Sequence, residues 1–199
     1  LQVIAPFKTV NELLRILQSE DAEKEVTLTI SDNQITCKMQ DFVLVSRVIK
    51  GQFPDYKQVV PTETENQFVV PRRAFLEASE RASIIASASN NVIRLVFSDD
   101  KLVIQANAAG LGEFTEEVEI ARQGGQGSKR VAFNVKLILD AIKNMDQEDL
   151  QVAFNSELSP CKVVPVSDDA FTYIIMPIRT SDFQESQAES AAQKEEVAV

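Results

Sequence analysis

Three stretches of the chain open alike: Val3-Ile4-Ala5-Pro6-Phe7-Lys8, Phe68-Val69-Val70-Pro71-Arg72-Arg73 and Val131-Ala132-Phe133-Asn134-Val135-Lys136. Each begins with a short apolar run that reads as a strand. A Pro or an Asn follows, residues favoured at the first turn or N-cap of a helix. Helical periodicity comes next, over 7–18, 72–83 and 135–145, and then β-rich sequence. The copies are offset by 65 and then 63 residues, which puts Lys8, Arg73 and Lys136 in register. Helices brought side by side would present these three cations as a row.

Working outward, the first helix is followed by Val26, Leu28 and Ile30, alternating toward one face. Ser31-Asp32-Asn33 reads as a hairpin turn, with strands over 34–39 and 41–48. After the second helix come strands over 92–97, 101–106 and 114–120, the first two joined at Ser98-Asp99-Asp100. After the third, strands are expected over 150–154, 161–164 and 171–177. Each repeat therefore reads strand–helix–three strands, an α+β architecture of antiparallel sheets. One such unit leaves its sheet half uncovered, so two units are expected to pair, with both helices over one continuous sheet. On this reading 67–180 is a complete domain and 1–61 is half of one. A linker is expected at 62–66, within Pro61–Asn66 and carrying Glu63 and Glu65, and 181–199 reads as a disordered acidic tail.

Composition narrows the chemistry. The chain has 199 residues, 44% of them hydrophobic, enough to bury a core. No apolar run is long enough for a membrane helix, and no signal peptide is evident. The start at Leu1 lacks an initiator Met and reads as a truncated or cleaved cytoplasmic product. Histidine is absent, which removes the Ser-His-Asp and Cys-His systems and the commonest metal ligand. Cys37 and Cys161 lack metal-ligand spacing and read as buried, reduced thiols. Gly124-Gly125-Gln126-Gly127 lacks the Lys-Ser/Thr of a phosphate loop and reads as a flexible connector. The paired acids Asp99-Asp100 and Asp168-Asp169 are the one hint of a metal-dependent enzyme, but acids in hairpin turns are ordinary solvated residues. No metal and no cofactor is expected.

Charge is distributed unevenly. The formal charge is −10, yet each helical segment carries +1. The tail from Ser181 carries −4, which leaves −9 on the strands and loops. The helices are the only net-positive elements. Scattered Lys and Arg that merely solubilise helix faces would give the same count.

Two further segments are specific. One is Ser46-Arg47-Val48-Ile49-Lys50-Gly51-Gln52-Phe53-Pro54-Asp55-Tyr56, running on to Val59-Val60-Pro61. The other combines Phe133-Asn134-Val135-Lys136 and Leu139-Asp140-Ala141 with Ile174-Ile175-Met176-Pro177-Ile178-Arg179. In this order, on this repeat, they resemble the bacterial DNA polymerase III beta subunit, the sliding clamp family. The resemblance covers residues 1 to about 180, the second half of the family's middle domain and its whole C-terminal domain.

The resemblance implies a DNA-clamp fold, with helices on an inner concave face and antiparallel sheets outside. It implies a non-enzymatic processivity subunit of the polymerase holoenzyme, a head-to-tail homodimeric ring through which double-stranded DNA passes without base readout. The DNA-facing residues would be Lys8, Arg15, Arg72, Arg73, Lys136 and Lys143, whereas Arg81 sits where Glu77 could pair with it. A groove for peptides of the polymerase, the clamp loader and repair proteins would use Pro54, Gln58 and Val59 from the linker side. From the C-terminal domain it would use Asn134, Leu137, Leu158, Pro160, Ile174, Met176, Pro177 and Arg179. Ile84 and Ile85 match ring-interface positions, although this chain lacks the first domain and cannot itself close a ring. Two departures bear on peptide preference. Gln58 stands where the family often has Arg, and Leu137 where it often has an aromatic. The alternative is a peptide-binding adaptor that does not contact DNA.

Overall fold

The computed structural model describes residues 3–19, 25–39, 42–166 and 171–180. The expected acidic tail and the Asp168-Asp169 pair lie outside the described residues. The chain divides into two compact units, Leu1–Asp55 and Tyr56–Val199.

In the first unit α1 (Phe7–Ser19) starts directly behind Pro6, whose carbonyl accepts hydrogen bonds from Thr9 and Val10 N–H at 2.9 and 3.2 Å. Proline suits this position because its missing N–H has no helical partner to lose. The strands β1 (Thr27–Ile30), β2 (Gln34–Lys38) and β3 (Val43–Arg47) form an antiparallel sheet in that order. The β1–β2 turn is closed by Ser31, which donates through both N–H and hydroxyl to the Gln34 carbonyl. A hydroxyl contact of 2.7 Å between Thr9 and Ser46 ties α1 to β3. The strand expected at the head of this repeat is reduced to one bridge, Ile4 to Ile49. An apolar run becomes a strand only where an edge pairs with it, and among the described residues Ile4 alone of this run finds a partner. Among the described residues of the unit, Cys37 and Met39 are buried.

The second unit begins with a single 3-10 turn at Tyr56–Gln58. Then come β4 (Asn66–Pro71), α2 (Arg72–Ala86), β5 (Val92–Phe97), β6 (Lys101–Ala108), β7 (Gly112–Glu119) and β8 (Ala121–Gly124). The last repeat supplies β9 (Lys129–Asn134), α3 (Val135–Lys143), β10 (Asp149–Phe154), β11 (Cys161–Pro165) and β12 (Tyr173–Ile175). The sequence suggested one continuous sheet. The structure instead forms two, ordered β12-β11-β10-β4-β8 and β7-β6-β5-β9.

The two sheets arise because the repeats exchange strands reciprocally. The strand leading into α2 pairs with the first strand after α3, Phe68 opposite Val152. The strand leading into α3 pairs with the first strand after α2, Leu95 opposite Val131. The helix starts repeat the exchange: Arg72 N–H donates to the Glu148 carbonyl and Val135 N–H to the Asn91 carbonyl, both at 2.8 Å. Each repeat thus satisfies an orphan helix donor of the other. The relation is a local two-fold between the two copies.

Strand alternation gives the core. Phe68 and Val70 on β4, Ile93, Leu95 and Phe97 on β5, and Leu102 and Ile104 on β6 are fully buried. Phe97 sits between Phe68 and Phe154, with ring centroids 4.6 and 5.4 Å away. Arg122 lies over the outer side of this cluster, its guanidinium 4.7 Å from the Phe68 centroid and donating to Asp99 Oδ1 and the Gly127 carbonyl. It secures β8, a strand that the sequence pattern does not announce.

Two stretches read as connectors, one of them as flexible, are held in place. Gly124 closes β8 and Gly125 (φ +79°) packs so closely that a Cβ there would sit 2.3 Å from Asn66 Oδ1. The glycines permit a close approach rather than looseness. In the 62–66 stretch, Asn155 donates to the Glu63 carbonyl and accepts from Glu65 N–H, at 3.0 and 2.8 Å.

Candidate functional surfaces

Lys8, Arg73 and Lys136 are each the second residue of their helices and all are exposed. The reason is local. Pro6, Pro71 and Asn134 end the preceding extended segment, and the cation follows in the first turn. Asn134 is a true N-cap, its Oδ1 accepting from Lys136 N–H at 3.0 Å. A side chain expected to line the groove is therefore first of all a helix cap.

The six cations differ in commitment. Arg73 bonds Glu77 Oε1 at 2.9 Å, and Arg15 bonds Glu12 across one turn of α1. Hydrogen bonding to Arg15 holds the Glu12 carboxyl below its ordinary range, with the charge of Lys8 adding to the effect. Lys143 reaches Glu80 on α2 at 2.8 Å. Exposed pairs of this kind are worth only about 0.2–1 kcal/mol, so a phosphate can displace the carboxylate. Arg72 is different. Its side chain is 23% exposed and its Nε donates to the Met145 carbonyl, which holds the end of α3. Lys136 forms no ion pair among the described residues. Arg81 pairs with Glu116 on β7 rather than with Glu77. Its hydrogen bond pulls the Glu116 carboxyl below the ordinary value of 4.5.

The expected groove residues of the second unit come from four places. Leu137 projects from the first turn of α3, half exposed. Leu158 and Pro160 lie in the β10–β11 connection, a turn closed by Ser159 Oγ, which accepts from Asn155 and Ser156 N–H. Ile174 sits on β12, an edge strand, opposite Lys162. Met176, Pro177 and Arg179 follow it, on a segment pinned where Ile178 N–H donates to the Ala132 carbonyl at 2.8 Å. That bond carries the chain from the edge of one sheet to the edge of the other. Met176 (54%), Leu137 (51%), Val59 (45%) and Leu158 (36%) are exposed, as single apolar side chains on a protein surface often are. Gln58 and Val59 lie at the 3-10 turn; Pro54 belongs to the first unit.

Ile84 and Ile85, read together as interface, part company. Ile84 is 67% exposed while Ile85 packs on the core. Adjacent helical residues do not share a face.

The structure also holds a feature that the sequence reading leaves aside. Phe7, Val10, Leu14 and Leu17 of α1 are all exposed, at a spacing that makes one helical stripe. The spacing is legible in the sequence; the exposure is not.

The family model for the C-terminal domain of the DNA polymerase III beta subunit matches residues 57–179, and that for the central domain matches 1–55. The chain belongs to the DNA polymerase III beta subunit family. A beta sliding clamp from Halalkalibacterium halodurans is 33% identical over 181 residues, covering 89% of this chain and 47% of that protein. One from Staphylococcus aureus is 32% identical over 179 residues, with the same coverage. The crystal structure of the polymerase III beta subunit from Pseudomonas aeruginosa superposes with a TM-score of 0.80 at 30% identity, covering 90% of this chain and 48% of that one. The beta subunit fold is thus the fold of this chain, α+β with helices and antiparallel sheets. The chain spans about half the length of the curated relatives it matches. Among the described residues, no cluster of acids and cysteines is suited to hold a metal ion, and no helix is long and apolar enough to cross a membrane.

Proposed function

We propose that this chain carries part of a DNA sliding clamp, a non-enzymatic processivity factor of the cytoplasm that surrounds duplex DNA and docks partner peptides. The observation that carries the reading is the cation at the second residue of all three helices, in a chain of the beta subunit family. In a ring, inward-facing helices would meet phosphates through these side chains. The contact would be sequence-independent and, being shared among weak charges, mobile. The acidic balance elsewhere would repel DNA from the remaining surface. The ring would be a homodimer of the longer protein.

The exposed Leu137, Leu158 and Met176 would take the apolar anchors of short peptides from the polymerase, clamp loader and repair proteins. Gln58, lacking a guanidinium, and Leu137, lacking a ring, would favour aliphatic over acidic or aromatic anchors.

The test has two arms. Fluorescence anisotropy with a short hydrophobic clamp-binding peptide should show saturable binding, weakened roughly tenfold or more by Met176→Asp, whose wild-type side chain is already exposed. With a blunt duplex, binding should weaken steeply with salt, and Lys136→Ala should reduce the salt slope by about 1. A peptide affinity indifferent to Met176→Asp would overturn the groove.

A second reading, a peptide adaptor that never touches DNA, draws support from Arg15, Arg73 and Lys143 already facing Glu12, Glu77 and Glu80. It expects the salt slope to be the same with and without Lys136.

A further inference from the structure

Among the residues expected to line the peptide groove stands one that the sequence reading leaves out. Strands β11 and β12 turn alternate residues to opposite faces. Cys161, Val163 and Ile175 face the core and are at most 3% exposed. Lys162 and Ile174 therefore face the other way, and the register sets them directly opposite each other. On its other side Lys162 stands opposite Ala153 of β10. Carried one residue further, the β11–β12 register sets Pro160 opposite Met176. Lys162 thus shares one face with three of the expected groove residues, Pro160, Ile174 and Met176. Cross-strand partners on one face stand about 4.5–5.5 Å apart at Cβ. A peptide whose apolar side chain rests on Ile174 therefore passes within reach of the Lys162 ammonium.

The charge at this point is uncommitted. Lys162 is half-buried and forms no ion pair among the described residues. Arg73, Lys101 and Lys143, by contrast, already face Glu77, Glu117 and Glu80. The neighbours of Lys162 on its face, Ala153, Pro160, Val164 and Ile174, carry no charge. A carboxylate laid among these apolar side chains meets a cation less screened than one in open water. On a chain of net charge −10, an unpaired cation there has few internal partners to satisfy it and is complementary to an acidic ligand.

We propose that Lys162 is a specificity-determining residue of the groove, and that the partner peptides it reads carry an Asp or Glu beside the aliphatic side chain that rests on Ile174. This rests on the groove reading above and adds the chemistry of the partner, an aliphatic anchor flanked by a carboxylate. The preference for aliphatic anchors drawn from Gln58 and Leu137 is unchanged, because the carboxylate belongs to a flanking residue.

The test is fluorescence anisotropy of the 199-residue chain with a short hydrophobic clamp-binding peptide, prepared as a set with Glu or Gln at each non-anchor position in turn. At one position the Glu form should bind about two- to fivefold more tightly than the Gln form at low salt, and the gap should close as salt rises. Lys162→Gln should abolish the preference, and Lys162→Glu should reverse it in favour of Lys at that position. Arg179→Gln, at the other cation expected in the groove, should leave the Glu-to-Gln ratio in place. Unchanged urea midpoints check that the variants fold as the parent does. Equal binding of the Glu and Gln forms at every position, or a ratio that survives Lys162→Gln, overturns the proposal while Met176→Asp still weakens binding. A peptide that fails to bind, or whose binding ignores Met176→Asp, overturns the groove and this proposal with it. A ratio that emerges only after Asp182→Asn, Glu185→Gln and Glu189→Gln makes 181–199 of this chain the occupant of Lys162, and overturns the proposal as well.

Discussion

Arg81 and Glu116 show how a single pair couples helix to sheet. The hydrogen bond lowers the Glu116 carboxyl below 4.5, so its contribution to stability is complete above that value. It is lost as pH falls through the lowered folded value, because the proton then favours the unfolded chain. Urea midpoints measured down the acid limb should fall less steeply for Glu116→Gln than for the parent. Gly125 makes a second residue-level prediction. Its left-handed φ and the buried Asn66, whose Nδ2 donates to the Phe154 and Asn155 carbonyls, leave no room for a methyl. Gly125→Ala should destabilise the second unit by roughly 1–3 kcal/mol, read as a shifted urea midpoint at unchanged slope.

At the scale of elements, α3 joins both proposed surfaces. Its cap Asn134 fixes where the helix starts, and so where Lys136 and Leu137 emerge. Asn134→Ala should cost about 1 kcal/mol of stability and weaken peptide binding together, by urea titration and anisotropy on one sample. A loss of stability alone would mean that the start of α3 does not set the groove. The aromatic cluster is the structural counterpart. Phe68 joins β4 to Phe97 of the other sheet, and Phe68→Ala should cost roughly 3–5 kcal/mol.

At the scale of the molecule the two units are unequal. The second holds the core, whereas Cys37 and Met39 are the buried apolar residues described in the first. Each unit contains one buried thiol, so the cysteines report on them separately. Burial pushes the Cys161 thiol up to about 12, which leaves almost no thiolate at neutral pH. Alkylation in increasing urea should therefore modify Cys37 at lower denaturant than Cys161, as followed by peptide mass spectrometry.

The sequence by itself determined the repeat, the helix starts and the placement of one cation just inside each helix. These follow from local chemistry: proline and asparagine caps, apolar alternation and a fixed spacing. It also determined the absence of histidine chemistry, and the family resemblance rested on segments that lie within the regions the family models match. Only the tertiary structure decided the rest. Whether two repeats share one sheet or exchange strands between two depends on edges meeting across many residues. The same holds for whether Arg72 faces solvent or holds Met145, and whether Gly125 is loose or jammed against Asn66. The stripe on α1 makes the point in reverse. Its spacing is that of a core helix, yet burial is a property of what lies opposite, and no local pattern records that.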